Sequence, residues 1–246
     1  MSKLDQCSSS LLALKLNGIN GSLDDLLDNA ESDKVSYLEF LQTILDREID
    51  YRKERRIHRN LIGAHFPVIK DIESFKFDNI KGVREEDIKS LLDFRWLDNS
   101  ENTLFLGPPG VGKTHLSIAL GLKAIESGYS VCFERASNLV KLLKTVEIQR
   151  ASEFRLKRIL KSSLLIIDEI GYTPIDKREA NLFFNLVSEL YERTSIIITS
   201  NKGFDQWSEM MGDEVMTTAM LDRLLHHAKI FSISGESYRI SNRKEE

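Results

Sequence analysis

Along the first third of the chain, apolar positions recur at helical spacing. Leu38, Leu41, Leu45 and Ile49 fall three or four residues apart, which lays one apolar stripe along a helix. Ser36 is placed to cap its start, and Glu39, three residues on, completes a capping-box pattern. Neither Pro nor Gly interrupts residues 22–62. Gly63 and Pro67 end the region, and 70–78 reads as a linker. The pattern predicts a small all-helical N-terminal domain over residues 1–69 and a second domain over 70–246.

From about Glu101 the pattern changes. Short apolar, β-branched runs at 103–106, 129–133, 164–167, 195–199 and 229–233 alternate with helical stretches at 114–127, 137–145, 152–161, 178–192 and 215–227. Strands alternating with helices predict an α/β fold with a parallel sheet covered on both faces. The runs LLIID and SIIIT are apolar without alternation, as expected of strands buried on both sides. There is no internal repeat.

Composition narrows the class. The 246 residues are 41% hydrophobic and 29% charged with only 4 prolines, which suits a globular chain and excludes low-complexity or collagen-like ones. The formal net charge is -4, so any nucleic-acid contact must come from local patches. Cys7 and Cys132 stand far apart and outside any CxxC, as free thiols in a reducing compartment would. No apolar run approaches the ~20 residues of a membrane span. The run at 11–16 is broken by Lys15 and is too short for a secretory signal. A cytoplasmic protein with no membrane partner is expected.

The strongest chemical signal is Gly107, Pro108, Pro109, Gly110, Val111, Gly112, Lys113 and Thr114, which matches GxxxxGK[ST] at every fixed position. It follows a strand-like run and precedes a helical one, the context a phosphate loop requires. Glycines let backbone N–H groups approach phosphate oxygens, and the helix N-terminus adds its positive end. Lys113 is positioned to bridge the β- and γ-phosphates of ATP, and the Thr114 hydroxyl to ligate Mg2+. His115 directly follows and joins the cofactor-binding set. Downstream, a buried strand ends in Asp168 and Glu169. Asp168 is the second candidate for Mg2+, and Glu169 the candidate general base for the attacking water.

Three further residues have two readings each. Asn201 follows SIIITS and is either a turn former or a group that orients the lytic water. Arg223, on a helical run with apolar neighbours, is either a surface or Asp-paired arginine or a finger reaching a neighbouring subunit's γ-phosphate. Arg239 is either a nucleotide contact in its own subunit or an exposed residue near the terminus. His226 and His227 are adjacent, and adjacent helix positions point about 100° apart, which argues against a shared metal.

Taken together, GPPGVGKTH, LLIIDEIGYTPI, ELYERTSIIITSN, LDRLLHHA and GESYR resemble the IstB family of transposition-helper ATPases. They resemble, less closely, the DnaC/DnaI helicase loaders and the initiator clade of AAA+ ATPases. The resemblance runs from about Tyr37 to Tyr238. It implies a P-loop NTPase (AAA+) core behind the helical N-terminal domain, with Gly107 to Thr114 as Walker A and Asp168 and Glu169 as Walker B. Asn201 takes the sensor 1 position, Arg223 the arginine-finger position and Arg239 a sensor-2-like one. It also implies an ATP- and Mg2+-dependent protein that binds duplex DNA, self-associates into a homo-oligomer and assists a transposase. The alternative is a helicase loader acting in replication. A C-terminal helical lid is expected to be absent, which leaves Arg239 without a lid helix to carry it.

Two basic runs are candidates for the DNA contact. From Arg47 to Arg59, six Arg/Lys face three acids, whereas residues 1–46 carry three Lys against eight Asp/Glu. Arg52, Lys53, Arg55, Arg56 and Arg59 form the first candidate surface. Arg150, Arg155, Lys157 and Arg158, with Lys161, form the second. Either run can also be a solvated helix face. With no helix-turn-helix or zinc-finger pattern, contacts to phosphates rather than bases are expected.

Overall fold

The computed structural model describes residues 1–78, 80–171 and 175–238. They form two compact units, which divide at Arg59/Asn60.

The first unit holds α1 (Lys3–Ala13), a short turn of helix at Asn17–Asn20, α2 (Leu23–Asp33) and most of α3 (Tyr37–Ala64). The expected capping box opens α3: Ser36 N donates to Glu39 Oε2 at 2.8 Å, and Glu39 N donates to Ser36 Oγ at 3.3 Å. The stripe Leu38, Leu41, Leu45 and Ile49, however, stays exposed. The more buried face of α3 carries Phe40, Ile44, Glu48 and Tyr51 instead. Glu48 sets that orientation. It is buried and accepts from Gly18 N at 2.7 Å, Ile19 N at 3.2 Å and Arg52 Nε at 2.7 Å. Two otherwise unpaired N–H groups of the 17–20 turn are thereby satisfied, which holds the Glu48 face of α3 against that turn.

The second unit is built on five strands: β1 (Asn102–Leu106), β2 (Val131–Arg135), β3 (Leu164–Ile170), β4 (Ser195–Ser200) and β5 (Ala228–Ser232). All pair in parallel, in the order β2-β3-β4-β1-β5. Between them run α4 (Lys113–Glu126), α5 (Ala136–Thr145), α6 (Arg150–Ile159), α7 (Lys177–Leu190) and α8 (Glu214–Leu225). Leu104, Phe105, Leu165, Ile166, Ile167, Ile197 and Ile198 are buried between the helical layers. Each such side chain contributes about 1.5–3 kcal/mol through burial. Every strand and helix read from the pattern after residue 101 is present, with small shifts at the ends.

The unit boundary falls ahead of residue 69/70 because the last turn of α3 is tied into the second unit. Asn60 Nδ2 donates to Tyr129 O at 3.1 Å. Arg155 donates to Gly63 O at 2.7 Å and Ala64 O at 3.3 Å, covering carbonyls that a helix C-terminus leaves unpaired. The 70–78 stretch, expected to be a linker, folds as a wall of the site described next. Among the described residues, no helix is long and apolar enough to cross a membrane.

Candidate nucleotide site

The phosphate loop leaves the carboxyl end of β1, beside the ends of β4 and β3. Gly107 N donates to Ser200 O at 3.1 Å. In an open parallel sheet, this is where ligands bind. Glycine is needed at both ends of the loop. Gly107 has φ +145, and a Cβ there would lie 1.9 Å from Ile233 O. Gly112 caps α4 with φ +92, and a Cβ there would lie 2.4 Å from Phe75 Cε2. With no side chain in the way, the loop exposes its backbone to an anion at the positive end of α4. Lys113 is mostly buried and curls over the loop, where Nζ donates to Gly107 O at 2.7 Å and Pro108 O at 2.8 Å.

The acidic pair sits on an irregularity in β3. Pairing with β4 loses register between Ile167 and Ile170, and Glu169 has φ +64. A bulge of this kind re-aims side chains at a strand end. Asp168 is buried, and its Oδ1 accepts from Thr114 Oγ1 at 2.7 Å and Thr199 Oγ1 at 2.6 Å. Thr199 Oγ1 in turn accepts from Glu169 N at 2.9 Å, which satisfies the amide that the bulge removes from the ladder. The Glu169 carboxylate is partly exposed, with Arg135 Nε 3.8 Å from Oε2.

The 70–78 segment closes one side. His115 Nε2 donates to Asp71 O at 2.7 Å. Phe75 meets the His115 ring edge-on at 5.2 Å and Phe77 at 4.7 Å. Together these elements bound a cavity of about 680 Å3, lined among others by Phe75, Lys76, Lys113, Asp168, Glu169 and Tyr238. That volume suits a small-molecule ligand. The residues fit a Mg2+-bound nucleotide: a cradle that a Cβ would fill, an ammonium over it, and the hydroxyl–carboxylate pair Thr114–Asp168.

A model of the IstB-like ATP binding protein family matches residues 9–246. The chain belongs to that family. It is 41% identical over 235 residues to a Pseudomonas aeruginosa protein named for ATP binding in insertion sequence IS21, covering 96% of this chain and 89% of the relative. A Geobacillus stearothermophilus relative, named likewise for insertion sequence IS5376, is 42% identical over 219 residues, covering 89% and 87%. Among solved structures, the DnaI crystal structure has a TM-score of 0.55 at 18% identity, covering 68% of this chain and 89% of that one. The DnaC helicase loader has a TM-score of 0.51 at 22% identity, covering 60% and 86%. These likenesses show the fold, the AAA+ P-loop core.

In this IstB-like chain the remaining candidates fall in different places. Asn201 follows β4, and its Oδ1 is buried with no hydrogen-bond partner among the described residues. A Cβ on Gly171 would lie 3.0 Å from it. Arg223 Nη1 donates to Ala219 O at 2.7 Å, and its guanidinium lies 5.0 Å from the Phe184 ring centroid. It does not line the phosphate cavity. Arg239 lies outside the described residues.

The two basic runs also separate. Arg52, Lys53, Arg55, Arg56 and Arg59 are all exposed, and together with Lys15 they line a groove of about 770 Å3 in the first unit. In the second run, Arg155 must be removed from the candidate DNA surface. It is buried, pairs with Glu134 at 2.6 Å, and also donates to Phe133 O at 3.0 Å. Four of its five N–H donors are already used inside the fold, and breaking such a buried pair costs about 3–5 kcal/mol. Arg158 packs on Gly63, where a Cβ would fall 1.4 Å from Nη2. Lys157 pairs with Glu153, while Arg150 is exposed.

Thr199, Arg135 and Phe75 are site residues that pattern reading passed over. Thr199 sits one residue inside a run legible only as buried strand, and Arg135 looks like an ordinary strand end. Phe75 carries no motif. Only the adjacency of β2, β3 and β4 brings the first two to Glu169.

Proposed function

We propose that this protein is a Mg2+-dependent ATPase that assembles as a homo-oligomer on duplex DNA in the cytoplasm and assists the transposase of an insertion sequence. The observation that carries the reading is the Thr114–Asp168–Thr199 hydrogen-bond set beside Glu169, directly under an intact phosphate loop. Insertion-sequence relatives named for ATP binding support ATP as the nucleotide and transposition as the context. The basic groove of the first unit supports a phosphate-backbone contact with little base readout.

In this reading Lys113 moves from the carbonyls of Gly107 and Pro108 to the β- and γ-phosphate oxygens. Thr114 and Asp168 would hold a Mg2+ ion, which would supply positive charge to the phosphates. Glu169 accepts a proton from the water that attacks the γ-phosphorus, the bond to the β-γ bridging oxygen breaks, and ADP and phosphate leave. Asn201 orients that water through its amide. Arg223 of a neighbouring subunit neutralises the charge that develops in the transition state.

The test measures ATP turnover with and without duplex DNA, and assembly by size-exclusion chromatography with a non-hydrolysable ATP analogue. Wild type should hydrolyse faster on DNA and assemble only with nucleotide and DNA together. Lys113→Ala should lose at least about tenfold in nucleotide affinity, roughly 1.4 kcal/mol. Glu169→Gln should bind ATP, hydrolyse it slowly and hold the assembled form. Turnover indifferent to duplex DNA would remove the DNA role. Capture of a replicative helicase rather than the transposase would favour the loader.

A further inference from the structure

Glu192, His226 and His227 each place one ligand atom within 4.8 Å of the others, the one such trio of His, Cys, Asp or Glu among the described residues. None of the three lines the phosphate cavity. We propose that they form a second ligand site, which binds a divalent transition-metal ion of the Zn2+ class through two imidazole nitrogens and one carboxylate oxygen.

Adjacent positions inside a helix diverge, but this pair straddles the end of one. α8 stops at Leu225, His226 is its C-cap, and His227 leads into β5 at Ala228. The two rings come together, with centroids 4.0 Å apart and planes at 45°. One residue of the central sheet anchors the backbone on both sides of the pair. Asn102 N donates to His227 O at 2.7 Å, and Asn102 Nδ2 donates to Leu224 O at 2.9 Å.

The third ligand comes from the turn that closes α7. Glu192 has φ +57, a left-handed conformation uncommon for a residue with a side chain. Such positions cluster where a side chain must be aimed. The turn is held by Arg193 N and Thr194 N, each donating to Leu190 O at 3.0 Å.

Tyr191 completes the arrangement. Its hydroxyl lies 2.7 Å from His226 Nδ1. A proton on Nδ1, donated to the phenol oxygen, leaves Nε2 as the unprotonated ligand, which is how second partners commonly orient metal-bound histidines. Two histidines and one glutamate make a ligand set that zinc favours. All three are exposed, so at least one coordination position stays open to water or to a donor from another molecule. Arg223 lines the same small cleft as Glu192 and His227, but its guanidinium is turned to Ala219 O and the Phe184 ring.

The test titrates untagged, full-length protein with ZnCl2 by calorimetry, in excess Mg2+ so that the Thr114–Asp168 site does not report. Zinc content after gel filtration and the visible absorption of Co2+ in its place are the independent readouts. Wild type should retain one zinc per chain and show the intense band of a low-symmetry Co2+ site. The double variant His226→Ala/His227→Ala should lose the retained zinc, and Glu192→Gln should weaken binding by about tenfold or more. Tyr191→Phe removes only the orienting hydroxyl and should also cost about tenfold. Nucleotide binding, measured on each variant, reports that the fold is intact. Wild-type binding no tighter than that of the double histidine variant, or a zinc per chain that survives it, would overturn the proposal.

Discussion

Thr114 Oγ1 donates to Asp168 Oδ1 at 2.7 Å, joining the first residues of α4 to the end of β3 across 54 positions of sequence. The same oxygen accepts from Thr199 Oγ1 on β4. Two neutral donors on one buried carboxylate oxygen fix its orientation before any ligand arrives.

Thr199→Val, which keeps the branched shape and removes the hydroxyl, tests this set. It takes one donor from Asp168 and leaves Glu169 N without its acceptor. An unpaired buried group costs about 1–3 kcal/mol. Stability should fall by that order, and ATP turnover should fall more than nucleotide affinity. If urea midpoint and turnover both match wild type, the Thr199 bonds do not organise the site.

Arg135 and Glu169 form a partly exposed ion pair of 3.8 Å, which solvent weakens to about 1 kcal/mol or less. The guanidinium competes with water for the carboxylate. Arg135→Ala should raise DNA-free ATP turnover severalfold without changing nucleotide affinity. A fall in turnover would mean that Arg135 acts on the phosphates rather than on Glu169.

Arg52 is a poor probe of DNA binding because it supports the buried Glu48. Lys53 and Arg56 are exposed on the same groove and serve better. Replacing both by Ala should weaken binding to every duplex sequence alike and reduce the steepness of the salt dependence by about two phosphate contacts. An unchanged salt slope would move the contact elsewhere, with exposed Arg150 the next residue to replace.

Burial pushes the Glu48 carboxyl up, but the Arg52 guanidinium and the N–H groups of Ile19 and Gly18 outweigh it and hold it below its ordinary 4.5. A carboxyl with a depressed folded-state pKa stabilises the fold above its unfolded pKa, and that stability is lost as pH falls through the folded value. Glu48→Gln should therefore loosen the first unit near neutral pH. The difference from wild type should shrink as pH drops below the ordinary 4.5 and through the lower folded value. Amide exchange around Gly18 and Ile19, compared between variant and wild type at each pH, reads this out. A difference that stays constant into acid would assign the effect to shape rather than charge.

Arg223 bonds within its own helix and packs on Phe184, and the finger role proposed for it needs a second subunit. Arg223→Ala should bind ATP normally and hydrolyse it poorly, even on DNA. Mixed with Lys113→Ala, it should recover part of the DNA-stimulated turnover, because one subunit supplies an intact loop and the other an intact arginine. No recovery, with mixed oligomers shown to form, would leave Arg223 a packing residue.

By itself the sequence determined the alternation of buried strands and helices, the phosphate loop, the acidic pair and the Ser36–Glu39 cap. Each is a local pattern whose meaning depends on its neighbours in the chain: continuous apolar runs, glycines at fixed offsets, a hydroxyl three residues before a carboxylate. What lay beyond it required chain segments far apart in sequence to meet. Leucine spacing marked α3 as amphipathic, but which face turns inward was decided by Glu48, whose partners lie some thirty residues away at Gly18 and Ile19. Arg155 looked like part of a basic surface until β2 brought Glu134 and α3 brought two bare carbonyls to it. Thr199 became a site residue only because parallel pairing of β3 and β4 set it opposite a bulge. His226 and His227 diverge on a helix yet converge where that helix stops, beside a glutamate from another turn. Periodicity reports which residues share a face of one element, whereas burial of charge and the assembly of ligands depend on which elements become neighbours, and tertiary packing decides that.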